Sequence, residues 1–430
     1  MNLLIFHLHD MGRYCSPYGY PMPTPNMEAF AKRATTFRNA HAAAPTCSPS
    51  RAALLTGQTA HQAGMLGLRH RGFDLSDYSQ HLAAFLGTHG YQTAYAGVQH
   101  EFNPDGDQDP PYAIQLDRSA HPGSHDQQAA AAAAAFLKDP PEDPFFLWVG
   151  TIYPHREFLK ADPERFNPDR LRPPEPLPDT PETRQDMADY MATLEHADQC
   201  FGTVMQALKD SGKDEETVVI LTTDHGIAFP DMKCNLTAYG TGVAFLMDYP
   251  GNPLRGAASD ALVSHLDVFP TLCELLGLDA PEHLIGNSLL PLFRGETEAI
   301  REEAFAEVNY HAGREIMRSV RTERYNLIEI LDENPNRAMV NIDGGPAKYL
   351  WMGYGMGNSS ARDRIQLYDL VFDPMERHNL AHDPAYRDAR LEMQQRLKRW
   401  MVMTDDPAIR GSVQPPSDAR LDARNAVEPT

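Results

Sequence analysis

Four short apolar runs, separated by long helix-compatible stretches, constrain this chain most. They cover residues 2–8, 91–97 (Tyr-Gln-Thr-Ala-Tyr-Ala-Gly), 145–152 (Phe-Phe-Leu-Trp-Val-Gly-Thr-Ile) and 217–223 (Thr-Val-Val-Ile-Leu-Thr-Thr). Runs of this length without polar alternation read as strands covered on both faces. Pro25 to Ala34, Tyr78 to His89, the alanine-rich Asp126 to Leu137 and Pro181 to Ser211 read as helices between them. The alternation predicts an α/β fold, with a large mixed, mostly parallel sheet sandwiched by helices.

At 430 residues the chain can hold one large domain and a smaller one. The boundary is expected near residue 305, giving a catalytic α/β unit over 1–304 and a C-terminal α+β unit with its tail over 305–430. Arg318 to Arg321, Tyr325 to Ile328 and Gln366 to Leu370 read as strands of a small antiparallel sheet, and about 384–402 as a helix. The polar, proline-containing tail from Asp405 is expected to be poorly ordered or to wrap the surface. Residues 157–180, rich in Pro, Asp and Arg, read as a long surface loop and a candidate site wall.

The net charge of −21 argues against a nucleic-acid or anionic-membrane partner. An anionic substrate then needs a local positive pocket, which Arg51, Lys233 and a metal ion would supply. The five cysteines, Cys15, Cys47, Cys200, Cys234 and Cys273, are odd in number and widely spaced, which fits a reducing compartment rather than a disulfide framework. The sequence opens directly on an apolar strand, so a cytoplasmic location is expected. No apolar run approaches membrane-spanning length. A homo-oligomer is compatible with the composition.

The strand ends carry the functional signal. The four runs lead into His9-Asp10, His100-Glu101, Pro154-His155-Arg156 and Asp224-His225-Gly226. In open α/β sheets ligands bind beyond the carboxyl ends of the strands. A single Asp or His there is ordinarily a cap or a loop hydrogen bond. Four such ends at one edge predict a shared pocket, and two carboxylates with two imidazoles make a plausible divalent-metal set.

A second signal lies at Cys47-Ser48-Pro49-Ser50-Arg51-Ala52-Ala53-Leu54-Leu55-Thr56-Gly57. Ala52 to Leu55 favour helix, Pro49 is tolerated only in a first turn, and Gly57 suits a helix stop. Cys47 therefore sits at a helix N-terminus, where free N–H groups favour anions and lower a thiol pKa. Arg51 adds a planar fork matched to sulfate or phosphate. The plainer reading is a capped helix with a buried thiol.

The eleven residues as a whole resemble the sulfatase signature, Cys-x-Pro-x-Arg followed by Leu-Thr-Gly. The resemblance runs in order from about residue 2 to 400. It includes His9-Asp10-Met11-Gly12, Thr24-Pro25-Asn26, Thr222-Thr223-Asp224-His225-Gly226 and Leu367-Tyr368-Asp369-Leu370 with Asp373-Pro374. His61-Gln62-Ala63-Gly64-Met65, Gly226-Ile227-Ala228-Phe229-Pro230 and Met317-Arg318-Ser319-Val320 are most similar to the sulfamidase (heparan N-sulfatase) branch and its bacterial relatives. The resemblance implies an alkaline-phosphatase-like fold. It implies a metal-dependent sulfatase acting on an O-sulfate or N-sulfate, and a maturation enzyme that converts Cys47 to formylglycine. The hydrated aldehyde would attack sulfur, and elimination would then release sulfate. His9, Asp10, Cys47, Asp224 and His225 would hold one divalent metal ion. Arg51 and Lys233 would spread charge, and His100 or His155 would serve as general base and general acid.

Three departures bear on chemistry. His9 stands where the family has a metal Asp, which shifts the expected metal from Ca towards Mn, Zn or Fe. Val98 replaces the family's substrate lysine. Tyr153 replaces the Asp that the sulfamidase branch has before Pro-His-Arg. Two other functions fit the same residues: a phosphonate monoester hydrolase or phosphodiesterase of the same fold, and a catalytically degenerate binding protein.

Overall fold

The structure, a computed structural model, describes residues 1–104, 106–357, 362–411 and 413–430. Eight strands form one sheet: β1 (Asn2–Leu8), β2 (Thr35–His41), β3 (Gln92–Gly97), β4 (Ile114–Gln115), β5 (Phe145–Gly150), β6 (Thr217–Thr223), β7 (Phe245–Asp248) and β8 (Ala258–Ser264). Their order is β4-β3-β5-β1-β6-β7-β2-β8. β7 runs antiparallel to both neighbours, and all other pairings are parallel.

Side-chain alternation explains why the central strands are apolar throughout. In β1, Leu3 and Ile5 enter one apolar cluster while Leu4, Phe6 and Leu8 enter another. Val218 and Ile220 of β6 go with the first cluster, and Val219 and Leu221 with the second. A period of two therefore feeds two cores, one on each face, as a helix-covered parallel sheet requires. The second core is closed by helices His125–Lys138 and Pro181–Asp210. Thr180 and Thr183 cap the longer helix reciprocally, and Pro181 opens it where its missing N–H costs nothing.

A second sheet, β12-β11-β10-β9, is antiparallel throughout and is built from β9 (Ala304–Tyr310), β10 (Arg314–Arg321), β11 (Tyr325–Ile330) and β12 (Ile365–Asp369). Helix Arg387–Met403 covers it through Met393, Leu397, Trp400 and Met401. The tail beyond Asp405 wraps the surface and is tied down along its length. The Arg420 N–H donates to the Arg71 carbonyl at 2.8 Å, Asp422 pairs with Arg71 at 2.9 Å, and Glu428 accepts from the Tyr349 hydroxyl at 2.9 Å.

β2, β4, β7, β8 and β9 carry no clear strand signal in the sequence. β2 is interrupted by the exposed Arg38, β7 has four residues, and β8 begins with Ala-Ser-Asp on the sheet's edge.

A buried ion network ties the short helix Ala60–Ala63 to the second sheet. His61 Nδ1 lies 2.9 Å from Glu307 Oε1, and Arg318 reaches Glu307 at 3.5 Å and Asp406 at 2.6 Å. Burial alone would raise the Glu307 carboxyl, but His61 and Arg318 outweigh it and hold it at about 2. A depressed carboxyl stabilises the fold above its unfolded pKa. That contribution is lost as the pH falls from the ordinary carboxylate range towards about 2. Glu307→Ala leaves charged partners buried, and is expected to cost about 3–5 kcal/mol. An unchanged denaturation midpoint at neutral pH would count against this network.

Candidate active site

Because β3, β5, β1 and β6 are adjacent and parallel, their carboxyl ends open at one edge. Close packing at this edge is strict. A Cβ at Gly150 would lie 1.9 Å from the Val98 carbonyl oxygen, so β3 and β5 can end side by side only with glycine there. Asp10 and His100, just past two of these ends, have positive φ of 54° and 63°. Such backbone is unusual for residues with a side chain and tends to occur at functional sites.

The residues past β1 and β6 interlock. The Asp10 N–H donates to Asp224 Oδ1 at 2.8 Å. His9 Nδ1 lies 2.8 Å from Asp10 Oδ1 and 3.3 Å from Asp224 Oδ2. His225 Nδ1 lies 3.0 Å from the Gly226 carbonyl, which can only accept, so in the neutral ring the proton is assigned to Nδ1. The lone pair of His225 Nε2 then faces Asp10 Oδ1 at 3.3 Å and Cys47 Sγ at 3.5 Å. Two acceptors aimed at each other in a buried site is an arrangement that a divalent cation stabilises. Two overlapping donor sets fit such an ion, His9-Asp10-Cys47-His155 and Asp10-Cys47-Asp224-His225, each with ligand atoms within 4.8 Å of one another.

Cys47 opens helix Cys47–Thr56, which ends at Gly57 in the left-handed region with φ of 65°. The helix N-terminus does not lower its thiol. Burial pushes Cys47 well above its ordinary value, and Lys233 only partly offsets this. The neighbouring Asp10 and Asp224 add to the upward push. A free thiolate is therefore disfavoured here, which corrects the expectation of a reactive thiol.

Arg51 is fully buried and turned inward. Its guanidinium donates to Asp224 Oδ2 at 3.3 Å and to the Val98 carbonyl at 3.4 Å. Its fork thus braces a carboxylate of the site. Lys233 is buried as well. Its ammonium lies 3.0 Å from Asp10 Oδ2, 2.9 Å from Asp343 Oδ2 and 3.2 Å from His155 Nε2. Burial would lower Lys233, but Asp10 and Asp343 outweigh it and raise it, so the group is charged. Asp10 and Asp224 are held low despite burial, Asp10 chiefly by Lys233 and His155, and Asp224 by His225 and His9.

His155 and His100 flank His9, with ring centroids 4.6 and 5.6 Å away. Burial and then Arg51 push His100 down to about 3, so it is a neutral imidazole. All nine residues named for the site from sequence thus gather at one edge of the sheet. Asp343 joins them from the loop between β11 and β12. Its only local sign is the following Gly344-Gly345 pair, and strand-end reasoning could not reach a loop so far along the chain.

The fold is the alkaline-phosphatase-like one, and the family comparisons define the class as a hydrolase. The sulfatase family model matches residues 2–278, and the model for the C-terminal part of N-sulphoglucosamine sulphohydrolase matches residues 236–350. The chain belongs to the sulfatase family and is a sulfuric ester hydrolase. It is 30% identical to human N-sulphoglucosamine sulphohydrolase, over 95% of this chain and 91% of that one. Among solved structures, one in complex with its substrate D-glucosamine-2-N,6-O-disulfate superposes with a TM-score of 0.76 at 18% identity, covering 95% of this chain and 99% of that one. A phosphonate monoester hydrolase of Agrobacterium radiobacter gives 0.71 at 21% identity, covering 95% and 97%. Those two structures speak to the fold alone. Among the described residues, no helix is long and apolar enough to cross a membrane.

Proposed function

We propose that this sulfatase removes the sulfuryl group from a small sulfated sugar, an O-sulfate or an N-sulfate, with residue 47 as its nucleophile. The observation that carries the reading is that Cys47 Sγ and Asp10 Oδ1 lie 3.5 and 3.3 Å from His225 Nε2 at the buried N-terminus of a helix. The likeness to human N-sulphoglucosamine sulphohydrolase over nearly the whole chain supports the sugar class.

Formylglycine, made from Cys47 by a maturation enzyme, would supply a hydroxyl nucleophile at residue 47. Asp10, Asp224, His225 and residue 47, with His9 beside them, would hold one divalent metal ion, which would supply positive charge to polarise the sulfuryl group. The donor set of carboxylates and imidazoles admits Mn, Zn or Fe as well as Ca.

The chain's own groups do the rest. Arg51 fixes Asp224, so that a metal carboxylate does not swing as charge moves. Lys233 is the cation that meets a sulfuryl oxygen at the site's inner wall. Hydrolysis breaks the bond from sulfur to the sugar oxygen or nitrogen and forms a new sulfur–oxygen bond. The departing atom must take a proton. Lys233 Nζ and His155 Nε2 share one across 3.2 Å, and His155 opens to solvent where the leaving group would lie. His100 is neutral and set at right angles to the His9 ring, and its buried Nδ1 has no hydrogen-bond partner among the described residues, so it would be available to accept a proton from the nucleophile.

The test is a comparison of kcat/KM for an aryl sulfate, a sulfamate and a phosphodiester, with protein made alongside a formylglycine-generating enzyme. Sulfate or sulfamate is expected to be preferred. A strong phosphodiester preference would replace this reading with the phosphonate-hydrolase one.

A further inference from the structure

His155 is carried by an irregular loop past β5, and the donors of that loop are accounted for one by one. The Thr151 N–H donates to the His7 carbonyl of β1 at 3.0 Å, and the Thr151 hydroxyl to the Tyr153 carbonyl at 2.6 Å. The next two N–H groups, of Ile152 and Tyr153, donate to the two oxygens of one carboxylate, Asp126, at 2.8 and 2.9 Å. Asp126 is 1% exposed and lies in the first turn of helix His125–Lys138. That helix is already capped reciprocally by Ser124 and Gln127, so capping does not explain a buried carboxylate here. The other neighbour of Asp126 is His125 Nδ1 at 3.1 Å, and among the described residues no lysine or arginine pairs with it.

The link from Asp126 to His155 is short. The His155 N–H donates to the Ile152 carbonyl at 3.0 Å, and the Ile152 N–H is the one that Asp126 holds. His155 Nδ1 faces the Arg156 carbonyl, which can only accept, so the Nδ1 proton is assigned there and Nε2 is turned to Lys233 at 3.2 Å. Beyond His155 the loop is pinned again. Arg156 grips Asp186 with both ends of its fork at 2.8 and 2.6 Å and donates to the Ala228 carbonyl at 3.0 Å. Asp186 also accepts from the Ala347 N–H at 3.1 Å. His155 thus hangs between a clamp on Arg156 and a clamp on Ile152 and Tyr153.

We propose that Asp126 is a positioning residue for the leaving-group end of this reaction, an inference that rests on the function proposed above. It touches no reacting atom. It fixes the Ile152 and Tyr153 backbone, and so fixes where His155 Nε2 stands. When the bond from sulfur to the sugar oxygen or nitrogen breaks, its electron pair stays on the departing atom. That atom takes the proton from Nε2, while Nδ1 keeps its own against the Arg156 carbonyl. A displacement of about 1 Å at such a donor is worth about 10²-fold in rate. The loss falls on leaving groups that need the proton and spares those that depart as stable anions.

The test uses mature enzyme and a series of aryl sulfates running from para-nitrophenyl to para-methoxyphenyl sulfate, whose phenols are progressively poorer leaving groups. Asp126→Ala is expected to lose at least about tenfold more kcat/KM on the methoxyphenyl ester than on the nitrophenyl ester, as His155→Ala does. Asp126→Asn should shift the series in the same direction, because its amide group meets one of the two N–H donors with another donor. In a His155→Ala background, Asp126→Ala should cost little more, since the group it places is gone. Equal losses along the series, an unchanged series in both Asp126 variants, or additive losses in the double variant would overturn the proposal. A wild-type enzyme that turns over no aryl sulfate would remove the sulfatase reading and this inference with it, a result distinct from equal losses in an active enzyme.

Discussion

Cys47→Ala is expected to lower sulfate-ester turnover by at least about 10⁴-fold while leaving the protein folded, since loss of a covalent nucleophile is among the largest single effects in catalysis. The fold should survive because the change removes one sulfur from a helix whose other residues are buried in their own contacts. Cys47→Ser tests the point further. A serine keeps a hydroxyl, and with a maturation enzyme that oxidises only cysteine it gains no aldehyde, so it too should be inactive if formylglycine is required. Mass analysis of the peptide carrying residue 47 should track activity, with the converted fraction setting the specific activity. Full activity in Cys47→Ala, or in protein whose residue 47 is wholly unmodified, would remove the proposed nucleophile.

The second large effect concerns the metal set. Asp224→Ala is expected to reduce turnover by about 10²–10³-fold or more, the scale of losing a principal electrostatic group in an active site. Asp224 touches Arg51, His9 and the Asp10 N–H, so its loss also frees a buried arginine. Chelation separates the two causes. Removing the ion from wild-type protein should abolish activity reversibly and lower the thermal midpoint, and added divalent ion should restore both by mass action. Elemental analysis is expected to find about one divalent ion per chain, by the ligand count. An enzyme fully active after exhaustive chelation would contradict the site.

Much of the catalytic edge was legible because two simple rules apply to it. Buried parallel strands are apolar on both faces, so β1, β3, β5 and β6 stand out as runs, and their ends then point to His9-Asp10, His100, His155 and Asp224-His225. The helix at Cys47 declared itself through Pro49 and Gly57, whose positions suit a first turn and a stop. What escaped was set by tertiary context. The strands β7 and β8 lie where sequence alternation is short or half exposed. The direction of the Arg51 fork depends on which carboxylate the fold brings beneath it. The state of the Cys47 thiol depends on how deeply the helix is sunk, and burial there outweighs the helix end. Asp343 belongs to a loop whose placement is fixed by Arg156, Lys348 and the tail, none of which a local pattern reveals.

The strand order has a consequence for how the molecule is made. β1 is the first strand in the chain and lies in the middle of the sheet, with partners that are synthesised much later. Asp10 and Asp224 stand 214 positions apart, yet share a hydrogen bond. Pairings this distant are slow to close, because chain entropy is lost before the contacts repay it. A nascent chain that has extended only to β5 has no catalytic edge, and its central strand is bare on one side, open to other unfinished chains. Production of this protein should therefore be limited by aggregation during synthesis more than by the stability of the finished fold, and slower translation or holding chaperones should raise its yield.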